Sequence, residues 1–291
     1  MNMEINRYVR ATLLLWVVAL FFSFNVVASE ESTGDKNSGK NTGQDPTRPM
    51  TRFDIRLEQG YLPFDAQGRD EQEGINTLIF RADAPILLGD KGQNGLLSLR
   101  MDIPLISLQR TFTREGSFEL GSTYLQAVHI APSSWGNLPG ASAWGWGYAM
   151  QAPSSTTGRQ EITHLGIYAS KWQLSKTVSF VPLFKYMNAS SEDNFDAINQ
   201  LSFTPIINFN IGKGIDFVTL WGNYEWLLNF DDGELTGKQS GDYFIPYDVT
   251  VGKMLSDNRV VISATAAGEL LSSSDFEQYD NKIMLRVGFF F

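Results

Sequence analysis

The chain has 291 residues, 43% of them hydrophobic and 13% aromatic, with a formal net charge of −9 and no cysteine. The negative balance argues against a nucleic-acid partner, because phosphate binding needs an excess of Lys and Arg. The absence of cysteine excludes both a disulfide framework and a thiolate metal site.

At the start of the chain, Arg7 and Arg10 precede a nearly unbroken apolar run. That run closes on Val26-Val27-Ala28, just before the polar Ser29-Glu30-Glu31. The pattern predicts a secretory signal peptide over 1–28, cut after Ala28. The run is also about long enough to anchor in a membrane, so its length does not separate the two readings, and the small closing residues favour cleavage. Residues 29–50 are polar and rich in Gly, Ser, Asn and Lys. Such a stretch buries too little apolar surface to offset its ordering entropy, which predicts a disordered periplasmic tail.

From residue 51 onward no stretch approaches 18 consecutive apolar residues, and no helical period persists. The recurring signal is period-2 alternation, the mark of strands with two different faces. Phe53, Ile55 and Leu57 oppose Arg52, Asp54, Arg56 and Glu58. Leu97, Leu99, Met101 and Ile103 oppose Ser98, Arg100 and Asp102. Trp144, Trp146, Tyr148 and Met150 alternate with small residues. Tyr243, Ile245, Tyr247, Val249 and Val251 share a face against Asp248, Thr250 and Gly252. Twelve such segments follow one another: 52–58, 75–84, 95–104, 116–131, 141–152, 161–171, 176–187, 197–211, 214–228, 242–254, 259–270 and 281–291. In lipid, every backbone polar group must be paired internally, so without helices only a closed sheet can span. The expected fold is therefore all-β: a transmembrane antiparallel up-and-down β-barrel of about 12 strands over 51–291, with the even count of a single-chain bacterial barrel.

The connections test this independently. Such barrels have short turns on the periplasmic side and longer loops outside. With the first strand running outward, long polar gaps fall at odd positions, as in "NFDDGELTGKQSG", and tight ones such as "GKG" and "SDN" at even positions. "PSSWGNLPG" is the exception, an even gap that is long. Pro182, Pro205 and Pro246 lie inside predicted strands, where each removes a ladder donor, so they should mark bulges or strand ends.

Alternation also sorts the side chains. Tyr243, Tyr224, Trp226, Trp144, Trp146, Tyr148 and Phe291 are candidates for interfacial aromatic girdles facing lipid. Toward the lumen fall Arg52, Asp54, Arg56, Glu58, Arg81, Asp83, Arg100, Asp102, Glu119, Lys185, Glu225, Asp248, Lys282 and Arg286. Charged rings select among permeating ions. The same residues could instead form a salt-bridged network filling a narrow barrel, since twelve strands lie between filled eight-stranded and open sixteen-stranded cases.

The chain finishes on "NKIMLRVGFFF". Ile283, Leu285, Val287, Phe289 and Phe291 point one way; Lys282, Met284, Arg286, Gly288 and Phe290 point the other. Strict alternation sends Phe290 into the pore mouth, and nothing in the pattern says why. The ending resembles the carboxy-terminal signature of bacterial outer-membrane barrels. That resemblance implies that Phe291 and the alternating residues before it are read by the barrel-assembly machinery, in contact with outer-membrane lipid and lipopolysaccharide. Most of the remaining chain resembles a family of outer-membrane proteins named for the MetA pathway of phenol degradation and often labelled a transporter family. The likeness rests on Arg81 with Pro85, on Pro153 with Thr157-Gly158, on Pro205 after Thr204, and on Pro246 with Gly252-Lys253. It implies an outer-membrane channel passing small organic solutes, aromatic or apolar ones included, with no cofactor and no catalytic residue.

Two alternatives remain beside this expectation: a lipid-modifying hydrolase and a structural or adhesive surface barrel. A hydrolase would need a Ser-His pair. His129 lies near Ser133 and Ser134, and His164 near Ser170, but neither segment resembles the motifs of barrel lipases or deacylases. No Asp/Glu/His cluster has ligand spacing, so no metal site is expected.

Overall fold

A strand with one apolar and one polar face can hide its backbone from lipid only if the sheet closes. The computed structural model describes residues 43, 45–61, 74–109, 119–136, 139–153, 159–212, 214–273, 276 and 278–291. The expected signal peptide and most of the expected tail lie outside the described residues.

The strands are β1 (Arg52–Tyr61), β2 (Gly74–Leu87), β3 (Leu96–Gln109), β4 (Glu119–Leu120), β5 (Thr123–Ile130), β6 (Ala143–Ala152) and β7 (Thr163–Gln173). They continue as β8 (Val178–Ala189), β9 (Ile198–Asn210), β10 (Phe217–Leu220), β11 (Trp226–Asn229), β12 (Tyr243–Leu255), β13 (Val260–Ser272) and β14 (Asn281–Phe290). Every pairing is antiparallel. β1 pairs with β2 on one side and with β14 on the other, from Arg52 opposite Phe290 to Tyr61 opposite Asn281, so the sheet closes. β4 and β5 are two pieces of one crossing, and both pair with β3. β10 and β11 are likewise one crossing, each lying between β9 and β12. Fourteen strands thus make a closed barrel of twelve crossings.

The faces follow the alternation. Leu57, Ile283, Leu285, Val287, Tyr247 and Val249 stand exposed on the outside, while Asp54, Arg56, Asp248, Thr250 and Arg286 are buried inside. Trp146 and Tyr148 (56% and 48% exposed) and Tyr243 are outward, as expected of girdle residues. Tyr224 is a correction: it is buried on the inner side, where its hydroxyl donates to Glu58 Oε2 at 2.7 Å.

The prolines explain that correction. Pro246 sits at a register shift between Ile245 and Pro246, as expected of a bulge. Pro182 and Pro205 lie opposite each other in an unshifted β8–β9 ladder, but on its other side Pro205 marks an irregularity, five residues of the β10–β11 crossing standing against three of β9. Neither can donate a hydrogen bond, and the ladders beside them are interrupted at this level. The β7–β8 pairing skips Ser170 and Lys171. On the other side, Trp221–Glu225 leave the sheet between β10 and β11, opposite Pro205. Released from β9, the backbone N–H groups of Asn223 and Tyr224 donate instead to Asp248 Oδ2 at 2.9 and 3.0 Å. The buckle carries Tyr224 into the lumen.

Candidate functional site: the barrel lumen

On four adjacent strands, β14, β1, β2 and β3, the inward positions hold five arginines and three aspartates. Asp54 is fully buried and central. It accepts from Arg56 Nη2 at 2.9 Å and pairs with Arg286 through Nε and Nη2, both at 3.1 Å, with Arg52 Nε at 3.8 Å. Asp83 joins Arg52 (2.7 Å) to Arg100 (2.9 Å). Asp102 takes the Arg81 fork through both oxygens, at 2.6 and 2.5 Å. Strand register creates this lattice: Asp54 faces Arg81, Arg56 faces Arg286, Asp83 faces both Arg52 and Arg100, and Arg81 faces Asp102. Gly288, beside Asp54 on β14, leaves room for the carboxylate. A Cβ there would stand 2.3 Å from Asp54 Oδ1.

The lumen has a different character toward the long-loop end. Lys185 pairs with Glu225, and Lys282 pairs with Glu58 at 3.1 Å. The Lys282 ammonium also stands 5.1 and 4.3 Å from the ring centres of Tyr224 and Tyr279. These rings pack with Phe244, Ala267 and Phe276 into an inner aromatic cluster. Asp248 is almost fully buried beneath them.

At the end carrying Thr51 and Phe291, apolar residues gather on the inner side. Phe217, Met254, Val261 and Phe290 pack together, with Met50 against them. Gly252 admits the Phe217 ring; its Cβ would lie 2.1 Å from Phe217 Cζ. The inward Phe290 thereby finds its role in this cluster.

The last residues of the expected tail are seated in the same mouth. Asp45 pairs with Lys171 of β7 at 2.9 Å, and Thr47 is buried, its N–H and hydroxyl both donating to Asp45 Oδ1 at 2.9 and 2.6 Å. β7 is five strands from β1 by one route round the barrel and seven by the other, counting β10/β11 as one and leaving out β4. Between Asp45 and Thr51 the chain therefore spans nearly the whole mouth. Gly43 then returns to the arginine wall, where its carbonyl accepts from Arg52 Nη1.

Of the lumen residues expected from sequence, Arg52, Arg56, Arg81, Asp83, Arg100, Asp102 and Arg286 come together in one lattice. Lys185 with Glu225 and Lys282 with Glu58 form two separate pairs. Glu119 shares the inner side with Ile106 by register, but it is exposed at the long-loop end, apart from the lattice. Lys171, Asp45 and Asn223 were passed over by the sequence reading. Lys171 could have been found, since it continues the alternation of Leu165, Ile167 and Ala169.

Both histidines lie on the outer face. His129 contacts the Asn94 carbonyl oxygen at 2.8 Å and lies beside Trp135 and Trp146; His164 hydrogen-bonds Tyr148. Among the described residues neither has a serine hydroxyl partner, and no group of acidic or histidine side chains is placed to hold a metal ion.

No family model and no curated protein matches the chain. Solved structures do. The COG4313 outer membrane channel from Pseudomonas putida F1 aligns with a TM-score of 0.62 at 13% identity, over 84% of this chain and 96% of that one. The KdgM porin aligns at 0.46 and 10% identity over 82% and 99%, and the β domain of the Bordetella autotransporter BrkA at 0.46 and 8% over 84% and 100%. At 13% identity the likeness to the COG4313 channel speaks to the fold alone, a closed antiparallel β-barrel.

Proposed function

We propose that the protein is an outer-membrane channel that passes small organic solutes through its lumen. The observation carrying this reading is the closed barrel's apolar exterior around an interior whose β14–β1–β2–β3 wall is lined by ionised, hydrogen-bonded side chains, with apolar clusters such as Val128, Ile130, Leu165 and Ile167 on the wall across from it. A wall of ion pairs inside a lipid-facing shell is what a polar path through a membrane requires. The likeness to the COG4313 channel supports this reading, as does the resemblance to the phenol-degradation family. The end bearing Thr51 and Phe291 is assigned to the periplasm, because the short turns at 174–177, 211–216 and 256–259 are there.

The aromatic cluster of Tyr224, Phe244 and Tyr279 provides ring surfaces near the outer mouth, suited to a solute with an apolar part. The outward exposure of Phe291, Phe289 and Val287 supports their role as an assembly signal. The test is planar-bilayer conductance of the purified protein, together with swelling of proteoliposomes in small organic solutes. Discrete conductance and solute-driven swelling are expected. A protein that assembles into the heat-modifiable barrel yet shows neither is not a channel.

A further inference from the structure

We propose that the β14–β1–β2–β3 wall is a binding and transit site for small organic anions, carboxylates in particular. The proposal rests on the channel reading and adds a substrate class to it. Three observations converge on it.

The first is the charge count. Leaving Arg286 aside, Arg52, Arg56, Arg81 and Arg100 share Asp54, Asp83 and Asp102, so this part of the described lattice carries one more positive charge than negative. A lattice that only filled space would balance, because unmatched buried charge is costly.

The second is Arg56. Its side chain is buried, yet its one ion pair in the lattice is with Asp54, through Nη2, and its Nε has no hydrogen-bond partner. A guanidinium fork matches a carboxylate through two parallel N–H donors, and here part of that fork is unused.

The third is an acceptor oxygen already in place. The Gly43 carbonyl reaches the wall from the lumen side and accepts from Arg52 Nη1. That oxygen stands in for a carboxylate oxygen. Glycine suits the position, since at φ of +72° another residue would be strained and its Cβ would displace the Arg52 guanidinium. The wall therefore accepts oxygen ligands from the path, and a solute carboxylate would compete with the chain's own carbonyl. Toward the other end, Glu58 and Glu225 are each matched by lysine, so the excess positive charge is local to this wall.

The experiment is reversal potential in a KCl gradient across a planar bilayer, followed by titration with benzoate and, separately, benzyl alcohol. The two probes share a ring and differ in the carboxylate. Chloride is expected to permeate better than potassium, and benzoate to reduce chloride current while benzyl alcohol does not. Arg56→Gln should lower the chloride-to-potassium permeability ratio severalfold, since losing a unit charge within a Debye length of the permeating ions shifts the occupancy of the two ion signs in opposite directions. Arg56→Lys should keep the ratio and weaken the benzoate block, because it retains the charge and loses the fork. Heat-modifiable migration confirms that each variant has assembled. Equal or cation-preferring permeation in the wild type, or block by both probes alike, overturns the proposal. Absent conductance sinks the channel reading, and the site is then read by heat unfolding in detergent: protection by benzoate and not by benzyl alcohol sustains the binding site, and no protection overturns it.

Discussion

Asp54 is the residue on which the barrel's inner wall most depends. Its carboxylate is wholly buried, with Arg56 at 2.9 Å, Arg286 at 3.1 Å through two nitrogens and Arg52 at 3.8 Å. Asp54→Asn keeps the shape and removes the charge, and it turns one acceptor into an amide donor facing guanidinium donors. Removing one partner from a buried ionic network costs about 3–5 kcal/mol, because the remaining charges stay buried and uncompensated. For a domain of this size each kcal/mol moves the unfolding midpoint about 2–4 °C, so the variant should unfold about 6–20 °C below the wild type. The assay is the fraction of compact, unboiled protein on a denaturing gel after heating at graded temperatures. Gly288→Ala should shift the midpoint the same way, since its Cβ would lie 2.3 Å from Asp54 Oδ1 and 2.7 Å from Val261 Cγ1. Asp102→Asn should shift it less, because the Arg81–Asp102 pair keeps about 15% exposure on each side. An Asp54→Asn midpoint within 2 °C of the wild type would refute the claim that this carboxylate holds the arginines together.

Other outcomes follow from the mouth, the loops and the closing strand. Lys171→Met combined with Asp45→Asn should free the 45–50 segment; an ion pair contributing about 2 kcal/mol holds it roughly 30-fold in population, so single-channel conductance should rise, and unchanged conductance would show that the segment does not obstruct the path. The Asp196 carboxylate lies below its usual range because the Leu235 N–H, the Thr236 hydroxyl and the Thr236 N–H all donate to it. A depressed carboxylate stabilises the fold above its unfolded pKa and loses that contribution as pH falls through the folded one. Contact between the 190–197 and 230–242 loops should therefore hold from pH 5 to 8 and loosen below pH 4, read by hydrogen exchange at Leu235 and Thr236. Deleting Phe291 should lower the yield of heat-modifiable barrel while leaving already folded barrel as stable as before, because the residue is 70% exposed and packs little.

Most of the architecture is legible in the sequence because lipid and lumen impose opposite demands on successive residues. Phe53, Ile55 and Leu57 against Arg52, Asp54 and Arg56 state the faces of β1 outright, and register does the rest: a one-residue slip would send Asp54 into lipid. The misplaced residues are those for which alternation is not the governing rule. Tyr224 looks like a girdle residue, being one position from Glu225 and two from Trp226. Its inward turn is set by Pro205 on the neighbouring strand, which removes a donor and lets Trp221–Glu225 buckle. A single-strand pattern does not contain that information; it depends on which strands pair.

The 45–50 segment illustrates a more general point. A polar stretch reads as unfolded when water is taken to be the only alternative to an apolar core. A barrel lumen is a third environment, enclosed yet lined with charge, where Asp45 can be buried against Lys171 and a glycine carbonyl against Arg52. Polarity in a segment next to such a barrel is therefore compatible with insertion. The cue that separates insertion from a free tail is chemical matching. Asp45 complements a lysine on the far wall, and Met50 complements the apolar cluster that Phe290, Phe217, Met254 and Val261 form at the same end. Phe290 belongs to the same logic. On a strand whose other inward residues are Lys282, Met284, Arg286 and Gly288, an aromatic side chain at the end marks where the charged wall stops and the mouth becomes apolar.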